Sequence, residues 1–87
     1  MSLPKLELFY SPLCPTCPKA KEIAREVVEE EEVEEYEEIN ILSPDGGEKA
    51  AKYGIKSVPA LVVNEGEPIF GIPLKEGLVR LIKEVKV

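Results

Sequence analysis

Leu6-Glu7-Leu8-Phe9-Tyr10-Ser11-Pro12-Leu13-Cys14-Pro15-Thr16-Cys17-Pro18-Lys19-Ala20 carries three patterns in succession. Lys5 to Tyr10 alternates and then turns aromatic, which reads as a strand. Ser11-Pro12-Leu13 is a short loop leading to Cys14 and Cys17, the only two cysteines of the chain. From Pro15 the period changes. Ala20, Ile23, Ala24, Val27 and Val28 recur at helical spacing and form one apolar face, with Lys19, Lys21, Glu22, Arg25, Glu26 and Glu29 on the other. The cysteine pair is therefore expected between a strand and the first turn of a helix. A thiol there faces backbone N–H groups that lack intrahelical partners and the positive end of the helix dipole, and both favour thiolate over thiol. A thiolate attacks disulfides and also binds soft metals. Spacing alone does not choose between these chemistries; the setting in the chain has to.

Downstream, Val33 to Leu42 predicts a second strand, weak at its acidic start and clearest at Ile39-Asn40-Ile41. Ser43-Pro44-Asp45-Gly46-Gly47 is loop and helix-start chemistry, followed by a short helix over Glu48 to Tyr53 that Gly54 closes. Ala60-Leu61-Val62-Val63 is a continuous apolar run, as expected of a central strand covered on both faces. Asn64-Glu65-Gly66-Glu67 is a tight connection. Pro68-Ile69-Phe70-Gly71 is the return strand, and a proline at its start suits a sheet edge. Pro73 to Val87 closes the chain as a helix with the apolar stripe Leu74, Leu78, Leu81, Ile82 and Val85. The order is strand, helix, strand, helix, strand, strand, helix, with a parallel pair from the βα units and antiparallel strands from the closing hairpin.

Eighty-seven residues fit one domain over 1–87, in which about 60–65% of the unfolded surface becomes buried. No signal-peptide pattern opens the chain, and no apolar run approaches the roughly 18 residues of a membrane span. A cytoplasmic protein is expected, where a close cysteine pair is catalytic or metal-binding sooner than a structural staple. A bridge between residues three apart would constrain the unfolded chain very little. The net charge of −6 argues against nucleic acid and anionic membranes as partners. Acidity concentrates in Glu29 to Glu38, interrupted only by Val33 and Tyr36, and reads as a solvated helix end running into an exposed strand. A docking patch for a basic partner is the alternative. Abundant lysine and glutamate with no histidine or glutamine is a bias of thermophile proteins.

Two segments resemble the signatures of the thioredoxin/glutaredoxin superfamily. Leu6 to Val28 looks like the start of a glutaredoxin or of a small archaeal-type thioredoxin. Gly54-Ile55-Lys56-Ser57-Val58-Pro59-Ala60-Leu61-Val62 looks like the second signature, and the resemblance runs from Lys5 to the last helix. It implies a thioredoxin-like α/β fold with a four-stranded mixed sheet and three helices. It also implies a thiol–disulfide oxidoreductase that reduces protein disulfides through a Cys14–Cys17 couple. In that scheme Cys14 is the exposed nucleophile, Cys17 the resolving thiol, and Pro15 and Thr16 support the site. Pro59 follows a cis bond, and the Val58 backbone pairs with an extended substrate; a plain core role for Val58 is the alternative. No metal or bound cofactor is implied. The expected partners are disulfide-containing proteins and a reductase or small-thiol reductant, with the protein itself a monomer.

Helix chemistry points the same way, with Cys14 expected at the helix cap and Pro15, which has no N–H, at the first helical position. Pro18 then falls where the first intrahelical bond to the Cys14 carbonyl would form and should distort that turn. Lys19, Lys21 and Lys56 are read as solvated surface charges, the alternative being that each lowers the Cys14 pKa from a distance. Some features depart from the superfamily pattern. No tryptophan precedes Cys14, and Leu8 stands where thioredoxins carry a buried acid. Thr16 replaces the aromatic residue of glutaredoxins, and Gly71-Ile72-Pro73 is at best a partial glutathione turn. The competing readings are a copper(I) carrier using the two thiolates and a redox-inactive adaptor of the same fold. Copper carriers of this kind resemble a strand-helix-strand-strand-helix-strand order, whereas this chain is expected to end in a helix.

Overall fold

Leu6 and Leu8 turn to one face of the first strand, Glu7 and Phe9 to the other, and all four are buried. A strand buried on both faces must lie inside a sheet covered on both sides. The computed structural model, which describes residues 5–85, shows such a sheet. Its elements are β1 (Lys5–Tyr10), α1 (Cys17–Glu30), β2 (Glu35–Asn40), α2 (Pro44–Lys52), β3 (Ala60–Val63), β4 (Ile69–Phe70) and α3 (Lys75–Val85). The strands run in the order β2-β1-β3-β4. β1 pairs in parallel with β2, and β3 is antiparallel to both β1 and β4. This is the α/β, mixed four-stranded architecture expected from the sequence.

The cross-strand register sorts the side chains. Leu8 lies opposite Leu61, and Glu7 opposite Val62. Leu6, Leu8 and Leu61 therefore meet Ala20, Ala24 and Val27 of α1 and Leu78 and Ile82 of α3. Phe9, Ile39, Ala60 and Val62 meet Ala50 of α2 on the opposite face. Each fully buried leucine, isoleucine or phenylalanine contributes about 1.5–3 kcal/mol relative to leaving it in water. The thicker α1/α3 layer thus supplies most of the burial.

Several boundaries differ from expectation: β2 stops at Asn40, β4 shortens to Ile69–Phe70 and α3 begins at Lys75, and other differences have a clear local reason. α1 begins at Cys17 with Thr16 as its N-cap, not at Pro15. Pro18 then sits in the second helical position, where no intrahelical acceptor is needed, and the first regular bond runs from the Ala20 N–H to the Thr16 carbonyl at 3.2 Å. No distortion is required. β2 starts at Glu35; Val33 precedes it and is buried in the core instead. α2 starts at Pro44 and includes both glycines, because Ser43 caps it by accepting from the Gly46 N–H at 3.0 Å. Gly46 itself lies so close to the Asn40 carbonyl that a Cβ there would collide with it. Within α3 only Leu78 and Ile82 of the expected stripe are buried. Leu74 precedes the helix and is 81% exposed, and Leu81 is also exposed. The expected helical end at Lys86 and Val87, and the side chain of Val85, lie outside the described residues.

The acidic stretch from Glu29 to Glu38 is met by cations from three helices. Lys75 of α3 pairs with Glu30, and with Glu26 one turn before the stretch; Arg25 of α1 pairs with Glu38, and Lys49 of α2 with Glu37. Arg25 grips Glu38 with two bonds of 2.7 Å, and the Tyr36 hydroxyl donates to the same carboxylate at 2.6 Å. The Arg25 bond is the chief reason the Glu38 carboxyl is held below the usual range; partial burial opposes it. Burial first, and then its bond to Glu38, raises the Tyr36 hydroxyl well above its ordinary value.

Candidate active site

The end of β1 delivers the first cysteine. Ser11 is buried, its hydroxyl accepts from the Leu13 N–H at 3.2 Å, and its carbonyl accepts from the Cys14 N–H at 3.1 Å. These bonds turn the chain sharply after the strand. Leu13 is left 84% exposed beside a partly exposed Cys14. Cys17, the first residue of α1, is 2% exposed. The two cysteines are joined as a disulfide with their Cα atoms 5.4 Å apart.

Cys14 therefore stands two residues ahead of the helix cap and not on it. Pro15 and Thr16 form the exposed turn between the cysteines. Thr16 does not cap α1 through its side chain. Its hydroxyl lies 3.5 Å from Cys14 Sγ instead, close enough to donate to a thiolate once the bridge is reduced.

The second signature reaches the same place from the other side of the sheet. The Val58–Pro59 bond is cis. The Val58 carbonyl oxygen is 3.7 Å from Cys14 Sγ, and the Pro59 carbonyl accepts from the Gly71 N–H at 2.9 Å. Gly71 has φ +83°, a conformation that suits glycine. Cys14, Cys17, Thr16, Val58 and Pro59 thus converge. Of the lysines, Lys19 pairs with Glu22 at 3.7 Å and Lys21 lies over the Tyr10 ring at 3.6 Å from its centre, while Lys56 is exposed.

Leu8 is a core residue, and the buried acid of this protein is its neighbour Glu7, 1% exposed on the α2 face. Tyr53 donates its hydroxyl to Glu7 Oε1 at 2.9 Å, and Lys49 Nζ lies 3.7 Å from Oε2. Burial, and then the Glu7 bond, pushes the Tyr53 hydroxyl up to about 12. The alternation of Lys5-Leu6-Glu7-Leu8 gives no warning of this network. The available signal is topological: a strand pairing on both edges, under helices on both faces, must bury any charge it carries.

The thioredoxin-domain family profile matches residues 5–83. The chain belongs to the thioredoxin family. It is 45% identical over 85 residues to the thioredoxin of Methanocaldococcus jannaschii, covering 97% of this chain and 98% of that one. It is 40% identical over 81 residues to a probable thioredoxin of Archaeoglobus fulgidus, covering 93% and 88%. Among solved structures, the fold matches a mutant thioredoxin from Halobacterium salinarum with a TM-score of 0.77 at 24% identity, over 93% of this chain and 73% of that one. A thioredoxin-like protein from Clostridium perfringens matches with a TM-score of 0.80 at 19% identity, over 94% and 70%.

This is therefore a thioredoxin-like protein of archaeal type and a thiol–disulfide oxidoreductase. Thioredoxins work through their own disulfide, with disulfide substrates and a reductase as the general classes of partner. The order of elements, closing in a helix, also departs from that expected of a copper carrier. Among the described residues no three of His, Cys, Asp or Glu gather into a metal-holding group, and no helix is long and apolar enough to cross a membrane.

Proposed function

We propose that Cys14 is the nucleophile and Cys17 the resolving thiol of a cytoplasmic, monomeric reductase of protein disulfides. The observation that carries this reading is the asymmetry of the pair. Cys17 is all but enclosed, whereas Cys14 is reachable from solvent beside the Val58 carbonyl. The Cys14 thiolate attacks one sulfur of a substrate disulfide, forming a mixed disulfide and expelling the other sulfur as a thiolate. Cys17, deprotonated in turn, attacks Cys14 Sγ and releases the second substrate thiol. The substrate gains two electrons and two protons, and the Cys14–Cys17 disulfide remains until a reductase or small thiol reduces it. The backbone of Val58 pairs with the extended substrate segment, held next to Cys14 by Pro59.

Protein disulfides are preferred over glutathione adducts. Thr16 offers no aromatic surface between the cysteines, and Gly71-Ile72-Pro73 lacks a second glycine or an acidic pair to hold a glutathione end. The roles are tested by trapping. The Cys17→Ser protein accumulates mixed disulfides with a disulfide-containing protein such as insulin, and the Cys14→Ser protein does not. Better trapping by Cys14→Ser overturns the assignment. Much faster reduction of a glutathionylated substrate than of insulin overturns the preference.

A further inference from the structure

Burying a carboxylate costs several kcal/mol unless partners compensate it, so Glu7 needs an explanation that the cysteine chemistry does not supply. Its partners lead to one. Tyr53 caps the C-terminus of α2, and its ring meets Phe9 edge-on with centres 5.9 Å apart. Lys49, one turn earlier, bridges Glu7 and Glu37, the residues that face each other across β1 and β2. The carboxylate in the middle of the sheet thus ties down the last turn of α2 at two points.

The segment leaving that turn is the one that reaches the site. Gly54 takes φ +70°, and the Gly54 and Ile55 N–H groups close the helix on the Ala51 and Ala50 carbonyls at 3.1 and 2.8 Å. Ile55 and Val58 pack against the same core cluster as Tyr53. At its far end the segment is fixed by the Gly71 bond to Pro59. The placement of the Val58 carbonyl against Cys14 therefore depends on where α2 ends, and Glu7 sets that point.

We propose that Glu7, Tyr53 and Lys49 are positioning residues: through the 54–58 segment they fix the Val58 backbone beside Cys14 and so set the affinity for extended protein disulfides. They leave the attack of Cys14 itself unchanged. The proposal rests on the reading that substrate pairs with the Val58 backbone. The polar network is thus kept for register and not for stability, since buried ion pairs replaced by well-packed apolar groups often leave a protein as stable or more so.

The test is steady-state reduction of insulin, with dithiothreitol as reductant, beside reduction of a small aromatic disulfide that needs no backbone pairing. In Tyr53→Phe the KM for insulin rises about three- to tenfold while kcat and the small-disulfide rate hold. Glu7→Gln, which still accepts from the Tyr53 hydroxyl, stays nearer the wild-type KM. The double variant Glu7→Leu/Tyr53→Phe removes the network in favour of apolar groups; it unfolds no earlier than the wild type yet keeps the raised KM. An unchanged insulin KM in Tyr53→Phe overturns the proposal, as does a parallel fall in both rates or a wild-type KM in the double variant. A disulfide peptide N-methylated beside its cysteine, and so unable to pair with the Val58 backbone, that is reduced by the wild type with the same KM as its unmethylated parent would instead mark failure of the Val58 reading, which separates the two.

Discussion

The two faces of the sheet are built differently. Against α1 and α3 the side chains are leucine, isoleucine, valine and alanine, fully enclosed. Against α2 the layer is thinner, and in its middle sits a carboxylate held by a tyrosine and a lysine. Both faces feed the same site: α1 begins at Cys17, and α2 leads into Val58. The difference separates two requirements. Apolar burial is strong but non-directional, and it holds the domain together. Hydrogen bonds to a buried charge are directional, and they hold one segment in one register.

The largest way to break this contrast is Leu61→Ala on the α1/α3 face. Leu61 is fully buried against Leu8 and the helices, so the loss should be about 2–5 kcal/mol. In a domain this small that lowers Tm by about 4–8 °C for each kcal/mol. Differential scanning calorimetry reads it, and a shift under a few degrees would show that the α1/α3 layer is not the main source of stability. Next comes Gly46→Ala on the α2 face. Alanine gains up to about 1 kcal/mol in helix propensity, but its Cβ would run into the Asn40 carbonyl, a backbone group that cannot swing aside. The collision wins, and urea unfolding should report a net loss of about 1–3 kcal/mol. A more stable Gly46→Ala protein would mean that α2 slides freely on the sheet, against the account of its anchoring.

The smallest effect sharpens the contrast by moving to the surface. Glu38 is held below the usual carboxylate range, chiefly by its bond from Arg25. Its ionised form therefore contributes stability above about pH 4.3, the unfolded value, and loses it as pH falls through the lower folded value. Arg25 is 63% exposed, so solvent screens the pair and the contribution is small. The urea midpoints of wild type and Glu38→Gln should differ slightly at neutral pH and converge in acid. A gap that persists below about pH 3 would show that packing, not charge, sets the difference.

Local patterns make much of this molecule legible. The span of β1, the apolar run of β3, the Cys-x-x-Cys pair and the Val58-Pro59 segment are all contiguous, so periodicity and resemblance suffice to find them. The start of α1 is harder. Pro15 and Pro18 each suit a first turn; a start at Pro15 would cost the helix its first bond at Pro18, and the observed start at Cys17 avoids that loss. α2 reads short in the sequence because Gly46 and Gly47 look like loop residues. They are helical since Ser43 caps them and since Gly46 has no Cβ to strike Asn40. Glu7 is invisible for a deeper reason. Whether a residue in an alternating strand meets water or protein depends on which strands pair on either side of it. β2 and β3 are far from β1 in sequence.

Two cysteines of one disulfide that differ this much in exposure should react unequally once reduced, and competitive alkylation of the reduced protein measures the difference. Limiting iodoacetamide near about pH 6, where ordinary free thiols are almost wholly protonated, is followed by peptide mapping of which cysteine carries the label. Cys14 should be labelled first and nearly alone, with Cys17 protected until the protein is unfolded. Equal labelling of the two, or earlier labelling of Cys17, would contradict the account.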